Sequence, residues 1–186
     1  MYTYPNNVIC VTNRTICSRP IPEQVSRVAE VGIKTIILRE KDLPESEYYL
    51  LAEQTLQQCR VYGIHCILHY YPNVAKALNC NSIHMPYGML TKEISNGFEV
   101  VGTSVHSVQQ AITSERNGAT YITAGHIFAT DCKKGLAPRG TDYLKSVCDA
   151  VNIPVYAIGG INKSNYTKLY QYGASGVCMM SELMKV

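Results

Sequence analysis

Short apolar runs of β type recur eight times along the chain, separated by longer and more polar stretches, and this alternation limits the possible folds more than any other feature. The runs are Val8–Val11, Thr35–Leu38, Ile64–Leu68, Ser82–His84, Val100–Val105, a run anchored by Tyr121-Ile122, Pro154–Ile158 and Gly176–Met179. Between them the pattern predicts helices from Pro20 through Glu30, from Pro44 to a stop at Gly63, and over Asn73–Leu78, Ser107–Arg116, Asp142–Val151 and Lys163–Tyr172. In the second of these, Leu50, Leu51, Leu56 and Val61 are the apolar positions.

Strands joined by helical crossovers run parallel, and eight such units close into a barrel. The expected fold is therefore α/β, a compact (β/α)8 TIM barrel, with one domain over residues 1–186. Each unit has about 23 residues, fewer than in the roughly 250-residue barrels that are usual, so few insertions and little helix beyond Leu183 are expected. A doubly wound open sheet is the alternative. It has no need of eight units, nor of the Gly159-Gly160 pair after the seventh strand.

Composition narrows the function classes. At 46% hydrophobic and 17% charged residues the chain can build a core, which excludes wholesale disorder. A net charge of +3 without a run of like charges argues against nucleic acid as a partner. No apolar run approaches the roughly 18–20 residues that cross a bilayer, and Met1–Asn7 is polar, so no membrane partner and a cytoplasmic location are expected. The 8 cysteines are scattered without a C-x-x-C pair, several inside apolar runs, and read as reduced, buried thiols. With no H-E-x-x-H either, and with Glu40, Asp42 and Asp131 dispersed, no metal site is expected.

Active sites of such barrels sit on the loops after the C-terminal strand ends. That rule selects Arg39 and Lys41, His69, His84, Ser104 and His106, the polar loop from His126, Gly159-Gly160, and Met180-Ser181. Gly159-Gly160 with Met180-Ser181 match the common barrel phosphate site, in which backbone N–H groups approach an anion closely; a plain tight turn is the other reading. His126 offers an imidazole, a group that titrates near neutral pH without tuning, for acid–base work, or else a structural side chain. Lys133-Lys134 reads as a solvated charge pair, and Cys132 as a spectator rather than a nucleophile. Arg39 and Lys41 suit an anionic substrate group, or a salt network with Glu40 and Asp42.

Four runs carry a family resemblance: Leu38-Arg-Glu-Lys41, Gly102-Thr-Ser-Val-His-Ser107, Gly125-His-Ile-Phe-Ala-Thr-Asp-Cys-Lys-Lys-Gly135 and Val155-Tyr-Ala-Ile-Gly-Gly-Ile161. Together they resemble the thiamine phosphate synthase/TenI superfamily, from about Val8 to Leu183. In the synthases the third run looks like G-P-I-F-P-T-x-T-K; His126 and Cys132 depart from it and match the G-H-[VI]-F-x-T-x-C-K of TenI-type thiazole tautomerases. The synthase Gln two residues before Arg39 is Ile37 here, its strand 3 Asn is His69, and its acidic metal ligands after strand 4 fall at Gly88 and Met89.

The resemblance thus implies a thiazole tautomerase, an isomerase of thiamine biosynthesis that needs no cofactor. Its substrate would be a carboxylated dihydrothiazole ethyl phosphate, and its product the aromatic thiazole carboxylate phosphate. It implies His126 as the proton shuttle, Arg39, Lys41, Ser104, Thr130 and Lys133 in substrate binding, and Gly159, Gly160, Met180 and Ser181 in phosphate binding. A homodimer and a functional link to thiazole synthase are implied with it. The alternatives are a thiamine phosphate synthase, and a non-catalytic relative that binds a phosphorylated ligand in regulation.

Overall fold

A computed structural model describes residues 2–133 and 135–186. Its eight strands are β1 (Val8–Val11), β2 (Thr35–Leu38), β3 (His65–His69), β4 (Ser82–Pro86), β5 (Val100–Val105), β6 (Tyr121–Gly125), β7 (Val155–Ile158) and β8 (Gly176–Met179). They lie in chain order in a closed parallel barrel, the (β/α)8 fold expected. The helices between them are α1 (Ile21–Glu30), α2 (Glu45–Tyr62), α3 (Pro72–Ala77), α4 (Lys92–Ser95), α5 (Val108–Arg116) and α6 (Gly140–Ala150). Two compact units divide the chain, one running to His84 and taking in Met180–Val186, the other Met85–Met179.

In the first unit β1, β2, β3 and β4 pair in register, with Ile36 between Cys10 and Cys66, and His69 opposite His84. Proline at the first turn of α1 costs nothing, because those N–H groups have no partner inside the helix. Gly63 ends α2 in the left-handed conformation, φ 63°. The buried face of α2 is Tyr48, Ala52, Thr55 and Cys59, while Leu50 and Val61 are 59% and 70% exposed, contrary to the apolar spacing. Tyr48 sets that rotation. Its buried hydroxyl donates to Leu38 O (2.7 Å) and accepts from the His69 N–H (2.8 Å), which tethers the helix to two strands.

In the second unit β5 to β8 pair in register, Gly102 against Tyr121 and Tyr156 against Gly176. Ser107 Oγ caps α5 by accepting from the Gln110 N–H (3.1 Å). The connection from β4 to β5, which carries no helical pattern, has a 3₁₀ turn at Tyr87–Met89 and the single-turn α4. The helix expected over Lys163–Tyr172 is instead a 3₁₀ helix at Tyr166–Tyr172. Asn162 Oδ1 accepts from the N–H and hydroxyl of Ser164, and Asn165 Oδ1 from the Asn162 N–H, so local side-chain bonds displace the first turn of an α-helix.

The Tyr121 ring lies over Gly102, where an added Cβ would collide with it, and packs edge-on against Tyr156 at 5.7 Å. Gly102→Ala is therefore expected to destabilise the protein by about 1–3 kcal/mol, read as a lower urea midpoint at unchanged slope. The described cysteines are free thiols; Cys10, Cys59, Cys66, Cys80 and Cys178 are buried, whereas Cys17 and Cys148 are half-buried. Among the described residues no helix is long and apolar enough to cross a membrane.

Candidate active site

Strand β6 delivers its last residue, Gly125, directly into His126, whose side chain is 8% exposed. The loop that follows folds back onto its own start. The Arg139 N–H donates to His126 O (3.0 Å), and the Gly140 N–H to Ile127 O (3.1 Å). It is also zipped to the end of β7, because Ile127 N–H donates to Ile158 O and Phe128 N–H to Gly159 O. This closure makes a cavity of about 370 Å³ lined by His106, His126, Lys133, Leu136 and Arg139, with the Ala137-Pro138 step between the last two.

Three polar side chains of this cavity have a partner. His126 Nε2 lies 3.3 Å from Leu136 O, and His106 Nδ1 lies 2.8 Å from Gly125 O. The Arg139 guanidinium sits 5.4 Å from the centre of the Tyr143 ring, whose hydroxyl donates to Val105 O. Two imidazoles and two cations around one space can bind an anion and move a proton on it. Gly159, φ 101°, is held against this wall: a Cβ there would meet His126 Cβ and lie 2.7 Å from its Cα. Gly160, φ 67°, abuts Phe128 and Ala129 in the same way. The pair is thus needed for a close approach of two loops, a role distinct from a simple turn.

Of the residues singled out from the sequence, His106, His126 and Lys133 line the cavity together. Ser104 is half-buried on β5 and accepts from the Thr123 hydroxyl (3.0 Å), and Thr130 accepts through its carbonyl from the Lys133 N–H (3.1 Å); neither lines the cavity. Lys134 and the Cys132 side chain lie outside what is described. Arg139 is the addition. No spacing rule finds Arg139, since it is brought to His126 by the loop's own backbone bonds.

The first unit holds the other candidates. Glu40, 2% exposed, accepts from the Thr12 hydroxyl (2.7 Å) and the Arg14 N–H, and Arg14 pairs with Asp42 at 2.7 Å. The salt network considered for Arg39 and Lys41 is thereby taken by Arg14, and neither Arg39 nor Lys41 forms an ion pair among the described residues. His69 and His84 stack at 5.8 Å, with the Tyr70 ring beyond His69 at 6.2 Å. Burial, then the neighbouring His84 and the Arg39 and Lys41 charges, bring the His69 imidazole down to about 2; burial and Arg39 bring His84 to about 3. His69 Nδ1 is buried without a hydrogen-bond partner. Met180 Sδ accepts from the Asn13 amide (3.7 Å), and Ser181 is exposed on the turn after β8.

A closed barrel of eight parallel strands, with His106 after β5 and His126, Lys133 and Arg139 after β6 around one cavity, defines the class: a (β/α)8 barrel with a polar cavity beside its strand ends. Residues 8–183 match the thiamine monophosphate synthase family, TMP-TENI, and the chain belongs to that family. It is 33% identical over 174 residues to a thiamine-phosphate synthase of Caldanaerobacter subterraneus subsp. tengcongensis, covering 90% of this chain and 81% of that one. It is 32% identical over 180 residues to a thiamine-phosphate synthase of Clostridium tetani, covering 94% and 86%. Among solved structures it is similar to a thiamine phosphate pyrophosphorylase from Pyrococcus furiosus, with a TM-score of 0.84, 30% identity, and coverage of 96% and 87%. Thiamine monophosphate synthesis, the activity for which the family is described, is a step of thiamine biosynthesis.

A synthase of this family is expected to hold magnesium on carboxylates after β4. Here that segment is the turn Tyr87–Met89, where Gly88 has no side chain and Met89 offers a thioether. A hard divalent cation takes oxygen ligands, so these residues do not fit it. Among the described residues no group of three or more His, Cys, Asp or Glu is placed to hold a metal ion.

Proposed function

We propose that this chain is a thiazole tautomerase of thiamine biosynthesis, an isomerase that converts a carboxylated dihydrothiazole ethyl phosphate into the aromatic thiazole carboxylate phosphate. The observation that carries the reading is His126, buried in the wall of a cavity with Lys133 and Arg139, at the position where the synthase motif has proline. The substrate has two anionic groups and must lose a proton at one carbon and gain one at another. Aromatisation supplies the driving force, so the protein has to hold the ring and lower a proton-transfer barrier.

In this reading His126 is the acid–base group, and Lys133 and Arg139 hold an anionic group of the substrate. Arg39 and Lys41, which form no ion pair among the described residues, are further anion ligands. Ser104 and Thr130 offer hydroxyls, and Gly159, Gly160, Met180 and Ser181 offer backbone to the phosphate. A single domain, a homodimer, delivery of the substrate by thiazole synthase and a cytoplasmic location belong to the same reading, the last in keeping with the free thiols.

The names of the relatives favour a second reading, a thiamine-phosphate synthase that joins hydroxymethylpyrimidine pyrophosphate to thiazole phosphate. The two separate in one pair of assays on the purified chain. The tautomerase is expected to speed the appearance of aromatic thiazole from the dihydrothiazole, with no divalent cation added. Magnesium-dependent release of pyrophosphate, with no effect on the dihydrothiazole, would replace it by the synthase. Binding of the aromatic thiazole phosphate without either reaction would leave a regulatory relative.

A further inference from the structure

The cavity contains a second imidazole that the reading above does not use. The geometry points to His106 as the partner of His126 in a two-base proton transfer, His126 taking the proton from one substrate carbon and His106 giving one to the other. This rests on the tautomerase reading and deepens it.

His106 is not a loosely solvated loop side chain. It follows β5 directly, and its N–H donates to Gln110 Oε1 (2.7 Å), which is held in turn by the Ser107 cap of α5. Its Nδ1 lies 2.8 Å from Gly125 O. A carbonyl oxygen only accepts, so Nδ1 carries hydrogen, and Nε2 is the nitrogen left to exchange a proton. The same logic applies to His126, whose Nε2 faces Leu136 O at 3.3 Å and so bears the hydrogen, leaving Nδ1 as the base. Gly125, the anchor of the first ring, immediately precedes the second in the chain, so one stretch of backbone positions both. Both rings line the same cavity, together with Lys133 and Arg139 and with no carboxylate among the lining residues.

The chemistry needs two places at once. A base or acid has to lie within about 2.6–3.2 Å of the atom whose proton it moves. One ring would have to travel between the carbon that loses the proton and the carbon that gains it; two fixed rings do not. The C–H bond at the carboxylate-bearing carbon breaks, and its proton goes to His126 Nδ1. The electron pair of that bond enters the ring and makes it aromatic, the exocyclic double bond is lost, and its outer carbon forms a new C–H bond with the proton carried on His106 Nε2. His106 is then left neutral with hydrogen on Nδ1, the form its Gly125 bond holds. His126 is buried and His106 is exposed, so the donor is the ring that bulk water can recharge.

The test uses the whole chain and a dihydrothiazole substrate deuterated at the carboxylate-bearing carbon, in ordinary water. The wild type is expected to give aromatic product without deuterium, because the donor is not the group that received the label. His106→Asn retains an amide donor for Gly125 O and cannot move a proton. It is expected to make product at least about 10²-fold more slowly, as His106→Ala does, while still washing deuterium out of unreacted substrate. Deuterium carried into the product would overturn the pairing in favour of a single shuttle. So would an asparagine variant as fast as the wild type, or one that loses exchange and turnover together. A wild type that makes no aromatic product sinks the tautomerase reading, and the pairing with it.

Discussion

Replacing His126 by alanine is expected to slow formation of the aromatic thiazole by roughly 10²–10⁴-fold, the usual worth of a positioned acid–base group. In barrier terms that is about 2.7–5.4 kcal/mol. The fold should tolerate the change. Gly159 is pressed against the Cα and Cβ of residue 126, which alanine keeps, and the loop bonds from Arg139 and Ile127 are made by backbone. What disappears is the ring in the cavity wall and its contact with Leu136 O. Single-turnover rates, with a urea melt of the same preparation, separate the two effects. A variant that is stable and as fast as the wild type would remove His126 from the chemistry and transfer the proton work to another group.

The second large effect is on stability in mild acid. His69 and His84 remain neutral in the folded protein down to about 2 and about 3, because burial and the nearby cations oppose a charge there. In the unfolded chain the same rings protonate near 6.5. Their folded values are lowered, so between these limits the unfolded state binds the extra protons. Stability is intact above about 6.5 and is lost as the pH falls below it. At pH 5 each ring should make folding about 2 kcal/mol less favourable than at pH 7.5. His65, lowered by burial, acts in the same direction. Urea midpoints at the two pH values would show the loss, and a His69→Gln, His84→Gln double variant should remove most of it. A double variant with the full slope would assign the acid sensitivity to other groups.

Those two histidines show what a linear reading can and cannot supply. Both were singled out for lying at strand ends; His69 does end β3, whereas β4 runs two residues past His84, and the two strands pair the rings' residues directly. Their burial, and the partnerless Nδ1 of His69, come from packing that no spacing reports. The helix α2 makes the same point. Its limits were legible from Pro44 and Gly63, but its inward face was not, because the apolar count weighs Leu50 and Val61 above Tyr48. One hydroxyl bonded to β2 and β3 outweighs them. In the last connection, Asn162 and Asn165 redirect the backbone in a way that the apolar period of Tyr166–Tyr172 does not register.

The eightfold alternation of strand and helix and the parallel barrel it requires were legible in the amino-acid sequence alone, as was the placing of His126 and Gly159-Gly160 after strands; a role for Lys133 came only with the family resemblance. Those features depend on local periodicity and on which residue types a position can accept. Tertiary structure alone decided that Arg139 returns to His126, that Gly159 has no room for a side chain, and that His106, tied through Nδ1 to Gly125 O, lines the same cavity. Each of these depends on a bond or a close approach between segments that meet only when the loop closes, and such meetings are set by backbone hydrogen bonds that every residue type can make.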